Sequence, residues 1–196
     1  MEDIKFVYDE NDYVNGVFAG EKFRAYRIIA NRDIYTQFGL VKKGSKGGYI
    51  VKGTLSQEGD CWVSQGSSIG PDCFVSGAAY VNKSTLGHDV FVGNSAVISC
   101  SKIFPKTKVT AMGASTIKGS KIFGGAYLSG DASLEYCCIR GEVSMTDDSY
   151  MRGCEVEKGS HLSFVNHICE SNKTISGQGL YSVNPSIKTT EKTKGL

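Results

Sequence analysis

Written 17 residues to a row, the chain from Ile69 to Ser171 falls into six rows that begin at Ile69, Leu86, Ile103, Ile122, Ile139 and Val156. A second apolar residue recurs within each row, at Val75, Val92, Val109, Leu128, Met145 and Leu162, and a third at Val81, Ile98, Ile117, Leu134, Met151 and Ile168. The spacing is six, six and five, with one slip of two residues that this alignment puts between Val109 and Ile117, within Thr110 to Thr116. Such a unit is too short for a helix pair and has the wrong period for a heptad. It predicts one turn of a three-sided coil in which each side is a short strand.

Side chains alternate along a strand, so the residue two before each apolar anchor also points inward. Those positions are mostly small: Cys73, Val90 and Ala126 on one side, Ala79, Ala96 and Ser115 on the next, Ser84, Ser101, Cys137 and Cys154 on the third. A narrow interior with one large and one small residue per side requires this choice. Turn formers follow the anchors, as in Gly70-Pro71-Asp72, Gly87-His88-Asp89 and Gly93-Asn94, where the chain must change direction. Stacked coils then pair each backbone group with the coil above and below, at about 4.8 Å per coil.

The segments Ile69-Gly70-Pro71-Asp72-Cys73-Phe74 and Leu86-Gly87-His88-Asp89-Val90-Phe91 resemble the hexapeptide signature of the left-handed parallel β-helix proteins. Lys46-Gly47-Gly48-Tyr49-Ile50, followed by Leu55 to Val63, is similar to the opening segment of a narrower group, the bacterial and phage hexapeptide-repeat solenoid proteins often labelled transferases. The resemblance spans about Gly39 to Ser171. It implies a left-handed coil, against the right-handed rule for most parallel crossovers. The expected fold is therefore all-β: a three-sided left-handed parallel β-helix of about 17-residue coils over 51–176, a β-rich cap over 1–50 and a basic tail over 177–196.

Residues 1–50 do not keep the repeat. β-rich stretches at Ile4–Tyr8, Phe23–Ala30 and Ile34–Leu40 alternate with turn-like Asp9–Asp12, Asn15-Gly16 and Ala19–Glu21, and Asn15-Gly16 predicts a tight hairpin turn. Antiparallel strands here would cover the open end of the solenoid, which otherwise exposes a set of unpaired backbone groups. The repeat fades after Ile168, and the tail carries Lys188, Lys192 and Lys194 with little to bury.

A net charge of +2 gives no general electrostatic case for nucleic acid or a membrane surface, and nucleic-acid binding ranks last among the readings. The start lacks the basic and apolar regions of a signal peptide, and no segment is long enough to cross a bilayer, so the expected location is the cytoplasm of the producing cell or of an infected bacterial host. The seven cysteines show no metal-ligand spacing, and in a reducing compartment they are expected as free thiols, with Cys100, Cys138 and Cys169 at outward or corner positions.

Residues that could carry chemistry are few. Gly39-Leu40-Val41-Lys42-Lys43-Gly44-Ser45-Lys46 has glycines near a phosphate-loop spacing, but Ser45 stands where the lysine must be, so it reads as a polar loop. Enzymes of the resembled fold transfer acyl groups from coenzyme A with a histidine as general base. His88, beside Asp89 at a corner, is the candidate for that role, with acetyl-CoA as the cofactor; His161 and His167 read as surface residues. Such enzymes build the acceptor pocket from a long extruded loop, and this chain shows only a two-residue interruption.

Outward positions offer a different reading. One side stacks Phe74, Phe91, Lys108, Tyr127, Ser144 and His161; the adjacent side stacks Tyr80, Val97, Thr116, Ser133, Tyr150 and His167, with Trp62 starting the series. A rigid column of aromatic residues suits association, because contiguous apolar patches are uncommon on lone domains. The first reading is thus a non-catalytic interaction or scaffold protein, phage- or prophage-encoded by its resemblance, that needs no cofactor and binds a protein partner or itself, as dimer or trimer, through Trp62, Phe74, Tyr80, Phe91, Lys108, Tyr127 and Tyr150. The alternative is the acyltransferase.

Overall fold

The computed structural model describes residues 4–103 and 108–118 continuously and, beyond them, the strands out to Glu170 together with Ser129 and Gly130. All regular structure among the described residues is β. The chain forms a β-solenoid with parallel sheets, of about four turns, and its strand ladders continue to Ile168–Glu170. The tail over 177–196, His161, His167, Cys137 and Cys154 lie outside the described residues.

Five strands precede the repeating part: β1 (Phe6–Phe18), β2 (Glu21–Ala30), β3 (Ile34–Thr36), β4 (Gly39–Val41) and β5 (Lys46–Val51). β1 and β2 form an antiparallel pair with a register shift between Asp9 and Tyr13. β2 pairs antiparallel with β5, and β5 pairs parallel with Ser68–Ile69, so the N-terminal strands continue one ladder of the solenoid without a break. That first sheet runs on through Thr85–Leu86, Lys102–Ile103, Lys121–Ile122, Cys138–Ile139 and Glu155–Val156. A second sheet stacks Phe74–Val75, Val90–Val92, Val109–Ala111, Ala126–Leu128, Val143–Met145 and Leu162–Phe164. A third stacks Trp62–Val63, Tyr80–Asn82, Val97–Ser99, Thr116–Lys118, Ser133–Glu135, Tyr150–Arg152 and Ile168–Glu170.

The apolar anchors meet inside. Ile69, Val75, Val81, Ile98 and Ile103 are fully buried, and so are the small partners Ala79, Ala96 and Ser115. Where the small inward residue is serine, its hydroxyl replaces part of the backbone ladder. Ser84 N–H donates to Ser67 Oγ (3.3 Å), and Ser101 N–H donates to Ser84 Oγ (3.0 Å). The Ser84 and Ser101 hydroxyls donate in turn to the carbonyls of Asn82 and Ser99. These buried polar groups are thereby satisfied, which is the condition for keeping them in a core.

Two expectations about register and turns are corrected. Leu86 pairs with Ile103, 17 positions on, whereas Val90 pairs with Val109 and Val92 with Ala111, 19 positions on. The two extra residues therefore lie between Ile103 and Val109, ahead of the place given by apolar spacing. Spacing favoured the larger Val109 as the anchor; the solenoid uses Ala111 there and puts Val109 at the adjoining inward position, both fully buried. In the last rung Val143 pairs with Leu162 and Tyr150 with Ile168, which shifts that register as well.

The hairpin turn is the second correction. Asn15 and Gly16 lie inside β1, paired with Arg24 and Phe23, and the chain reverses at Ala19-Gly20, whose φ angles are +50° and +86°. Two successive left-handed residues are what a tight hairpin needs. Gly16 faces the ring of Phe23, which would have to shift to admit a side chain there. The stretch Ile34–Leu40, read as one strand, is split between β3 and β4, an antiparallel hairpin.

Candidate functional site

The second sheet carries the outward aromatic column. Phe91 pairs with Phe74 on one side and Thr110 on the other, and Thr110 pairs with Tyr127, which pairs with Ser144. Phe74 is 38% exposed and Tyr127 49%. Lys108, expected in this column, is displaced from it by the earlier insertion, and Thr110 takes the rung. Its ammonium nonetheless sits 4.1 Å from the centroid of the Phe91 ring, a cation–π distance, so the side chain still covers the column's edge. Ser144 pairs with Ser163, so the last rung offers Ser163 in place of the expected His161.

The third sheet is arranged differently. Trp62 pairs with Tyr80, and Tyr80 with Val97, as the repeat predicts, but Trp62 is 2% exposed and Val97 is buried too. Trp62 is therefore corrected from a surface residue to a core residue. Its indole lies against the backbone of Gly47 in β5, close enough that a Cβ there would collide with it. Further along, the β3–β4 hairpin reaches over the same sheet. Phe38 at its tip stacks at a tilt on Tyr80, with centroids 4.9 Å apart, and the Gln37 amide donates to the carbonyls of Ala78 (3.4 Å) and Ser95 (3.3 Å). Burial raises the phenol pKa of Tyr80. Tyr150 lies in this ladder, paired with Ser133 and Ile168.

His88 and Asp89 follow the Thr85–Leu86 strand at a corner where Asp89 takes φ +50°. The Asp89 carboxylate Oδ2 lies 2.9 Å from His88 Nδ1, the geometry in which a carboxylate orients an imidazole. The outer face of the ring is covered. Phe18, at the end of β1, stacks on it with centroids 4.0 Å apart and planes 28° from parallel, leaving the His88 side chain 17% exposed. Sequence spacing brings His88 and Asp89 together, yet it gives no sign of Phe18, which is 70 positions away and arrives only through the hairpin.

Gly39–Lys46 forms β4, a turn and the start of β5, with no helix of the kind a phosphate loop requires after it. Among the described residues no group of three His, Cys, Asp or Glu side chains is placed to hold a metal ion. No described helix is long and apolar enough to cross a membrane. Cys73 is a buried thiol whose pKa desolvation pushes up to about 12, and Cys100 is exposed at a corner with φ +54°. Both are free thiols.

Two polar clusters escaped the sequence. On the hairpin, Asp12 sits in the bulge of β1 and accepts hydrogen bonds from the Tyr49 hydroxyl (2.7 Å) and Arg27 Nε (3.2 Å), while the Arg27 guanidinium stacks over the Tyr49 ring at 3.8 Å. The Tyr49 hydroxyl and Arg27 together lower the pKa of Asp12. Immediately before β1, Lys5 is fully buried and its Nζ reaches Glu58 O (3.1 Å) and Cys61 Sγ (3.0 Å). A lysine preceding a strand reads as solvated, and its burial depends on a fold-level contact with the first coil. No protein-family model matches the chain, and a search of curated proteins finds no significant match.

Proposed function

We propose that this chain is a non-catalytic scaffold or interaction protein, a left-handed three-sided β-helix with coils of about 17 residues, whose second sheet is an association face. The carrying observation is the outward ladder Phe74–Phe91–Thr110–Tyr127, with Phe74 and Tyr127 well exposed and Lys108 at its edge. The neighbouring third sheet supports the reading by contrast: there the chain covers Trp62 and Tyr80 with its own β5 and β3–β4 segments. A flat parallel ladder with aromatic rungs gains by being covered, and on the second sheet a protein partner or a second copy would supply the cover. Central aromatic residues dominate such contacts, at about 2 kcal/mol or more each.

Phe74→Ser combined with Phe91→Ser is expected to weaken self-association or partner capture by about 30-fold or more. Light scattering and sedimentation across a concentration series would measure it. An unchanged oligomeric state together with unchanged partner capture would remove this face.

The His88–Asp89 contact favours a second reading, an acyltransferase using acetyl-CoA with His88 as general base. For that role Phe18 must leave the ring or contribute to binding the acyl donor. Calorimetric titration with acetyl-CoA, read beside the solution mass, separates the two. Saturable binding, a trimeric mass and a loss of about 100-fold or more in rate for His88→Ala would establish the enzyme. Absence of binding would exclude it.

A further inference from the structure

Lys5 and Cys61 are 56 positions apart in sequence and 3.0 Å apart at Nζ and Sγ, both with no exposed surface. The pair is held from several directions. The Gln57 side-chain carbonyl accepts from the backbone N–H groups of Lys5 (3.0 Å) and Phe6 (3.2 Å), and its amide donates to Phe6 O (3.1 Å). Lys5 Nζ also donates to Glu58 O, and Lys5 O accepts from Asn31 N–H. The Cys61 thiol is surrounded by the carbonyls of Ser56, Glu58 and Val75, each 3.7 Å away. A buried amine is thus aimed at a buried thiol, in a site where solvent thiols and bulky nucleophiles are kept out.

We propose that this pair is a site of oxidative modification, at which Cys61 Sγ and Lys5 Nζ become joined by a sulfur–nitrogen bond when the protein meets a peroxide. Lys5 as the free amine takes the thiol proton. The Cys61 thiolate then attacks one oxygen of hydrogen peroxide, the O–O bond breaks, and the departing hydroxide recovers the proton from the Lys5 ammonium and leaves as water. Cys61 is now a sulfenic acid, the step that normally precedes condensation with a neighbouring thiol or nitrogen. The Lys5 lone pair attacks the sulfur, the S–O bond breaks, and the hydroxide takes a proton from nitrogen to leave as a second water. One peroxide is reduced to two waters while the thiol and amine lose two hydrogens between them.

Two features make this outcome specific. Burial lowers the pKa of Lys5, which enlarges the share of nucleophilic free amine. The enclosure also leaves the Lys5 amine at contact distance from the sulfur, so condensation competes with further oxidation. Hydrogen peroxide is close to water in size, and brief local opening of the N-terminal segment would admit it to the buried pair. The link would tie the first residues of β1 to the first coil of the solenoid, closing a long loop and resisting detachment of the N-terminal strands.

The test treats the full-length wild-type protein with hydrogen peroxide, alkylates it under denaturing conditions and maps the proteolytic peptides by mass. The expected result is a cross-linked species joining the Lys5 and Cys61 peptides, lighter by two hydrogens than their sum and separated again by dithiothreitol. Lys5→Arg keeps a long side chain with hydrogen-bond donors but offers neither a base for the thiol proton nor a comparable nucleophile, and should show no link, with Cys61 recovered as the alkylated thiol. Recovery of Cys61 as an alkylated thiol in the wild type would overturn the proposal, as would its conversion to sulfinic acid without a link to Lys5.

Discussion

Gly70→Ala is expected to cost about 3 kcal/mol or more and to lower the melting temperature by about 10 °C. Gly70 is buried at a corner where its N–H donates to Leu86 O at 2.7 Å, and a Cβ at this position would fall on the carbonyl oxygen of Gly87 in the next coil. The obstacle is backbone, held in turn by the Gly87 N–H bond to Ile103 O at 2.7 Å, so it cannot swing aside as a side chain would. Relief requires the two coils to part locally, which breaks ladder hydrogen bonds on either side. Gly93→Ala is the matched control. The nearest atom to a Cβ there is Met112 Sδ at 3.3 Å, the end of a flexible thioether, and the cost should stay within about 1 kcal/mol. Thermal and denaturant unfolding of both variants measure the difference; equal stabilities would show that coil-to-coil approach at Gly70 is not as tight as described.

Trp62→Ala is expected to destabilise by about 3–5 kcal/mol, the range for emptying a buried aromatic site. An exposed tryptophan on an outward strand position would change stability by only about 0.5 kcal/mol when truncated. The two placements are therefore far apart in outcome. Trp62 is the chain's single tryptophan, so its fluorescence reports on the same question without mutation: a buried indole emits to the blue of a solvated one and moves red on unfolding. A loss below about 1 kcal/mol, with red emission in the folded protein, would return Trp62 to the surface.

Trp62 also shows where sequence reasoning stops. Its place in the ladder, opposite Tyr80, follows from strand alternation and is legible. Its exposure is not, because an outward position is outward only with respect to its own coil. β5 lies across Trp62, and Gly47 has no side chain to hold it off. Phe18 over His88 is the same kind of event: the corner residue and its Asp89 neighbour are visible in the sequence, and the ring that covers them comes from a hairpin whose turn is at Ala19-Gly20 rather than Asn15-Gly16. The misplaced insertion has a narrower cause. Apolar spacing ranks Val109 above Ala111 as an anchor by size, while the ladder accepts both inside. That two-residue difference decides that Thr110 rather than Lys108 stands in line with Phe91.

What this sequence determined by itself is the set of inward residues, from Ile69 and Val75 through Ile98 and Ile103, because alternation within a strand and recurrence between rungs are local rules that require no knowledge of the rest of the chain. Tertiary structure alone decided which outer surfaces stay open, which histidine face is hidden, and that Lys5 meets Cys61. Those outcomes depend on where an N-terminal segment outside the repeat comes to rest, and its resting place is set by packing and hydrogen bonding over long chain separations, which no periodicity encodes.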